Sequence, residues 1–321
     1  MQQRSYKMDN LRFLLIFLVV FAHFMELFPG KFTLSLYKII YSFHMPAFLF
    51  LTGYFARYDR KKIVSNLLYP YILFQVIYLA FDTLIIQEKS IVTLQFTKPY
   101  WLLWYLLTTF CYYLILALIE SNNKKNRLLI LGICTVLSLL AGFDTSIGYY
   151  FSLSRTFSFL PFFVSGYYYS HVKTNPLKNR LICPASILLI LTSFIFITTN
   201  SLITKKVLYG SYSYEQAEHN PLIKVLLLFI GFTWITFLIS TIPDKKLPII
   251  STLGQNTIAV FLLHGFIVKL VKKHEIFIYT EIQNLLLALL LTVIILCILG
   301  NPQSSKLFRK LFTGNWIFKQ K

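Results

Sequence analysis

Stretches of about twenty apolar residues recur ten times along this 321-residue chain, near 11–29, 36–56, 67–87, 100–119, 127–142, 154–170, 181–200, 222–241, 248–271 and 282–300. A run of that length crosses the hydrocarbon of a bilayer as a helix. Repeated runs must then pack as a bundle whose backbone groups are bonded within each segment. With 56% hydrophobic and only 13% charged residues, a single water-soluble core is excluded. The expected fold is all-α, a polytopic integral membrane helix bundle of about ten transmembrane helices. No Gly/Ser-rich or Pro-rich linker divides it, so one transmembrane domain is expected over 1–300, followed by a short basic cytoplasmic tail at 301–321.

The chain carries 31 Lys and Arg against 12 Asp and Glu, a balance that in a soluble fold points to nucleic acid. Here the cations follow the loops, and 20 of the 31 fall in the alternate segments 1–12, 57–66, 120–127, 171–180, 242–247 and 301–321. The positive-inside rule therefore places both termini in the cytoplasm of a multi-pass protein of the cell membrane, with anionic lipid rather than nucleic acid as the partner of this charge. Cys111, Cys134, Cys183 and Cys297 all lie in expected spans without metal-type spacing and read as small buried hydrophobes, so no metal site is expected. The first apolar segment lacks a signal-peptidase site and is expected to stay attached.

Polar residues inside these spans are the candidates for function. Arg12 and His23 share the first, LRFLLIFLVVFAHFMELF, and eleven positions bring them to one helical face about 16 Å apart. His44 sits beside Met45 and Pro46 in the second, SLYKIIYSFHMPAFLFLTGYFA, at an expected depth like that of His23. An imidazole titrates near neutrality and serves as a general base or an acyl acceptor, and Glu26, three residues after His23, is placed to fix its tautomer. Structural hydrogen bonding is the alternative. Arg12 follows Asp9 by three residues. The pair is either a snorkelling anchor with a helix-start carboxylate or a cationic mouth for the phosphates of a cytoplasmic donor whose long arm reaches His23.

Three further blocks offer a second side to such a site. Trp101, Trp104 and Tyr105 in WLLWYLLTTF form either an interfacial belt or an acceptor platform. Arg155 enters the sixth span six residues before Pro161, as an anchor or as a site residue. Asn256 and His264 lie eight residues apart in TLGQNTIAVFLLHGFI, on roughly one helical face, where they join helices or assist the site. The longest outward loop, about 201–221, gathers Tyr209, Tyr212 and Tyr214 close to Glu215, Glu218 and His219, a composition suited to stacking on a sugar ring or to the aromatic belt.

MDNLRFLLIFLVVFAHF, YSFHMPAFLFLTGYFAR, WLLWYLLTTF, SRTFSFLPFFVSGYYY and NTIAVFLLHGF follow one another in an order that resembles the acyltransferase-3 membrane family, most closely its fucose 4-O-acetylase-like branch. The resemblance spans roughly residues 8–270. It implies about ten membrane helices and transfer of an acyl group, usually acetyl from acetyl-CoA, to a carbohydrate hydroxyl. The family's essential first-helix Arg and His map onto Arg12 and His23, its F-H-M-P histidine onto His44, and its Arg before Pro-Phe-Phe onto Arg155. Thr52 stands where Ser is usual and keeps the hydroxyl. The SGNH esterase domain fused to some members is absent from this sequence.

The reading that follows is a membrane O-acetyltransferase acting on a surface polysaccharide or its polyprenyl-linked precursor. In it His23, His44 and Glu26 are catalytic, Arg12 and Asp9 hold acetyl-CoA, and Arg155, Trp104, Tyr105, Asn256 and His264 bind the acceptor. Transport of a carbohydrate or lipid-linked oligosaccharide, with the same polar groups lining a path, is the alternative from another class. Transfer of another acyl group such as succinyl is the alternative within this one, with Arg155 as the extra cation.

Overall fold

A computed structural model describes residues 5–87, 95–172, 182–277 and 280–314, and among these every regular element is helical. Helix α1 (Tyr6–Met25) is followed by α2 (Lys31–Phe55), which carries Pro46 in its interior. Asp59 caps α3 (Arg60–Ile63) by accepting from the Lys62 amide at 3.2 Å. A π turn at Val64–Leu68, α4 (Tyr69–Phe81) and a second π turn at Asp82–Ile86 prolong it. A 3-10 turn at Trp101–Leu103 leads into α5 (Trp104–Leu114), and α6 (Leu116–Ile119) follows after a break at Ile115. Next come α7 (Lys124–Leu140), α8 (Leu153–Tyr169), α9 (Ile182–Thr199) and the single turn α10 (Lys205–Tyr209). The chain continues through α11 (Pro221–Thr241), α12 (Pro248–Gln255), α13 (Thr257–Lys273), α14 (Glu281–Leu299) and α15 (Pro302–Phe312).

Each of the ten expected spans falls on a helix, but among the described residues length and apolarity qualify five of them: α1, α2, the run Arg60–Ile86, α11 and α14. A sixth candidate is the pair α12 and α13, bent by 79° at Asn256. The segments expected at 100–119, 127–142, 154–170 and 181–200 are shorter or broken. Their lengths alone therefore establish a multi-pass membrane protein rather than ten crossings. Helix α14 shows what lipid selects. Its buried side holds Asn284, Ala288 and Thr292 at four-residue spacing, while Ile282, Leu286, Leu290 and Val293 are exposed. Over residues 281–293 small and polar residues pack inward and apolar ones face outward, the reverse of a soluble helix, while Ile295 and Leu296 are buried near its end.

The described chain forms two compact units. The first comprises Met1–Tyr37, Asp59–Phe110 and Asp244–Lys321, the second Lys38–Tyr58 and Cys111–Pro243. In the first, α1 packs against α12, α13 and α14, and α15 packs against α13 and α14. Phe308 of α15 is buried and its ring lies 5.9 Å from Phe74, so much of the stretch expected as a basic tail is part of this core. In the second, α7 packs on α8 and α9 on α11. A Cβ on Gly53 would strike the Phe163 carbonyl and one on Gly166 the Phe50 carbonyl, so two glycines let α2 and α8 touch backbone to backbone. Cys134 is buried and Cys111 half-buried, as expected. Cys297 is instead exposed on the apolar outer side of α14, and the side chain of Cys183 lies outside the described residues.

Candidate active site

In the first unit three rings from three segments meet. His23 of α1 stacks on His264 of α13 with centroids 5.4 Å apart and an interplanar angle of 27°. Trp101 approaches His23 edge-on at 4.9 Å. The His23 Nδ1 is buried without a hydrogen-bond partner and lies 3.6 Å from a Glu26 carboxylate oxygen, within ion-pair range but long for a hydrogen bond. Glu26 is itself held, because the buried Tyr37 hydroxyl donates to its other oxygen at 2.6 Å. His264 is fully buried. Its Nδ1 lies 2.9 Å from the Val260 carbonyl, which can only accept, so Nδ1 carries the hydrogen and Nε2 presents a lone pair with no partner. Two stacked imidazoles thus each keep one ring nitrogen without a hydrogen-bond partner.

The second layer is charged. The Lys269 ammonium donates to both oxygens of buried Asp82, at 2.8 and 3.0 Å, and the Tyr100 hydroxyl also donates to Asp82. Lys269 lies over the rings of Tyr100 and Trp101, at 5.0 and 6.0 Å. Trp101 has φ +30°, a left-handed conformation a bulky residue adopts only when its surroundings impose it. The surroundings are visible. The Tyr100 amide donates to the Gln75 side chain at 2.8 Å, the Tyr78 hydroxyl to the Leu262 carbonyl at 2.8 Å, and Gly265 leaves the space that Trp101 and Tyr78 fill. Trp104 and Tyr105 lie a turn further on, with the Tyr105 ring 5.1 Å from Phe261.

Two sequence expectations are corrected here. Helix α1 stops at Met25 ahead of Pro29, so His23 stands in its last turn and not in mid-span; His44, by contrast, is central in α2. Asn256 does not share a helical face with His264. It sits in the non-helical break before α13, where its side-chain amide donates to the Thr252 carbonyl at 3.0 Å.

The start of α1 explains its polar residues. Asp9 is buried and accepts from the Gln255 amide at 3.2 Å. Asn10 donates to the Lys245 carbonyl at 3.1 Å and accepts from the Ser251 hydroxyl at 2.7 Å. Gly254 lets α12 lie against the Asp9 carbonyl. Arg12 follows one turn later, partly exposed, and shares the continuous helix with His23.

The second unit holds the remaining candidates. His44 is buried and repeats the His264 pattern, its Nδ1 lying 2.8 Å from the Ile40 carbonyl, and the Tyr41 ring meets it edge-on at 4.6 Å. Arg155 donates to the Tyr209 carbonyl at 3.2 Å and to the Ser211 hydroxyl at 3.4 Å, with its guanidinium 5.2 Å from the Tyr149 ring. The loop tyrosines divide by role. Tyr214 is a buried strut whose hydroxyl donates to the Leu139 carbonyl, whereas Tyr212 is half-exposed and accepts from Tyr149 at 3.1 Å.

Sequence reasoning missed Tyr37, Asp82, Tyr100 and Lys269 and gave Trp101 no role of its own. Asp82 and Lys269 carry a usable signal, since each is a charge inside an apolar run.

Apolar helices around buried, incompletely bonded imidazoles define a multi-pass membrane protein with a polar cluster in its interior. The chain belongs to the acyltransferase-3 family, whose acyltransferase domain matches residues 5–300, nearly the whole sequence, and it is a membrane acyltransferase. Among curated proteins and solved structures, none matches it significantly.

Proposed function

We propose that this acyltransferase is an O-acetyltransferase of the cell membrane, of the fucose 4-O-acetylase-like branch. It would move acetyl from cytoplasmic acetyl-CoA to a sugar hydroxyl of a surface polysaccharide or its lipid-linked precursor. The supporting observation is His23 between Glu26, His264 and Trp101, an imidazole with a carboxylate behind it and an aromatic wall beside it. Acetyl-CoA supplies an activated thioester. His23 takes the proton of the attacking hydroxyl as the new C–O bond forms, and returns it to the thiolate that leaves when the C–S bond breaks. Glu26, fixed by Tyr37, stabilises the imidazolium in between by closing its 3.6 Å gap. The unused Nε2 of His264 accepts a hydrogen bond from a second hydroxyl of the bound sugar.

Arg12 lies three turns along α1, about 16 Å from His23, where it would hold the donor's phosphates. Asp9, engaged with Gln255, would keep that end of α1 in place. Trp101, Trp104 and Tyr105 offer stacking surfaces for a sugar ring. His44 and Arg155 are assigned to acceptor handling from their own surroundings, and Asn256 shapes the bend before α13. In this reading both termini are cytoplasmic and the four shorter helices also cross, giving ten spans.

The test is acetyl transfer from radiolabelled acetyl-CoA to cell-surface glycan, in membranes with matched amounts of wild type or His23→Ala. Label that appears with wild type and vanishes with the variant supports the reading. Incorporation equal to empty membranes across a panel of host glycans refutes the acetyl donor or the glycan acceptor. Acetyl recovered covalently on His23 would replace direct transfer by a two-step route.

A further inference from the structure

A partly open pocket of the second unit is lined by apolar Phe159, Leu208 and Leu227, by Ser42 and Ser158, and by Lys224, itself partly exposed. Both serine hydroxyls already donate to backbone, Ser42 to the Ile39 carbonyl at 2.7 Å and Ser158 to the Gly210 carbonyl at 3.2 Å. Lys224 is the only charged residue in the wall. Its ammonium lies 6.0 Å from the Phe159 ring, and among the described residues no carboxylate comes within ion-pair range of it. Lys224 belongs to the first turn of α11, where the helix dipole repels a cation and attracts an anion. Arg155 is held on the Tyr209 carbonyl, next to Gly210 of the same wall, and adds to the positive potential. An ammonium among aromatic and aliphatic walls without a counter-charge is costly unless an anion completes it.

We propose that this pocket holds the phosphate of an anionic lipid, with Lys224 as its cation and the apolar walls receiving the start of its chain. The required ligand is amphiphilic. A free anion would leave the walls of Phe159, Leu208 and Leu227 unfilled, and an uncharged chain would leave Lys224 unpaired. This site is independent of the His23 chemistry and does not rest on the acetyl donor or the sugar acceptor.

The test uses purified full-length protein in an uncharged detergent, with thermal unfolding followed by tryptophan fluorescence. Phosphatidylglycerol, phosphatidylcholine of the same chains and inorganic phosphate are titrated separately. Phosphatidylglycerol should raise the wild-type midpoint saturably and more than phosphatidylcholine does. Lys224→Gln should weaken that response about tenfold, the worth of one charge-assisted contact, while Lys224→Arg keeps it. Lys205→Gln, on the exposed face of α10, should respond as wild type. If Lys224→Gln does not fold, Lys224→Met replaces it. Without lipid its midpoint should exceed that of wild type, since no unpaired ammonium is desolvated. Equal responses of wild type and the Gln or Met variant, or of wild type to the two lipids, overturn the proposal. Inorganic phosphate reproducing the whole shift overturns the lipid as source.

Discussion

Asp82 and Lys269 form a buried ion pair that neither partner can leave cheaply. Replacing Asp82 with Asn strands the ammonium and should cost about 3–5 kcal/mol, whereas the joint change Asp82→Leu with Lys269→Met should cost much less, both read from thermal unfolding. Because Tyr100 and Lys269 brace the strained Trp101 beside His23, the single variant should also lower activity in the fraction that remains folded. Tyr37→Phe removes only the hydroxyl that holds Glu26. We expect kcat to fall about tenfold with little change in the donor KM, since the lost interaction supports charge that develops during transfer. Arg12→Ala should do the opposite, raising the donor KM far more than it alters acceptor affinity. Outside the spans, burial holds the His219 imidazole below its usual 6.5, against Tyr214. Folding therefore favours its neutral form. That contribution is complete above pH 6.5 and is lost as the pH falls below it, so His219→Asn should flatten the acid limb of the stability profile. Arg12, His23 and Glu26 were readable as candidates because a polar residue in an apolar run is conspicuous. Tyr37 was not, because nothing local distinguishes it from the other tyrosines of this chain.

Among the helices, the closest approaches are made by glycine. Gly254→Ala would drive a methyl group into the Asp9 carbonyl and force α12 off α1, and Gly53→Ala would do the same between α2 and α8. Each should lower stability by about 1–3 kcal/mol, the usual cost of overpacking, whereas Gly132→Ala, which meets open space inside α7, should not lower it. The Gly-Tyr ends of the second and fourth sequence blocks are thus packing devices in the second unit. Helix positions were largely legible, because a run of apolar residues near bilayer length is helical whatever its neighbours. Helix ends were not. The start of α1 at Tyr6 is held by Asp9 and Asn10, whose partners lie some 240 positions away and are absent from their local sequence.

For the molecule in its membrane, the proposed orientation makes a prediction by side. In a background without the four native cysteines, a cysteine at exposed Glu215 should react with an impermeant maleimide added to intact cells, and one at exposed Arg60 only after permeabilisation. Reaction of both from outside would break the ten-span arrangement. Membrane residence and the helical class followed from composition and run length alone, because a bilayer imposes them on any such chain before a tertiary contact forms. The family, too, was visible in five short blocks. Which buried polar groups meet one another was settled by packing. His23, Glu26, Tyr37, Trp101 and His264 come from four separate stretches of chain, and Asp82 finds Lys269 across 187 positions. Those meetings depend on how whole helices seat against one another, an outcome of many weak contacts that no single segment encodes.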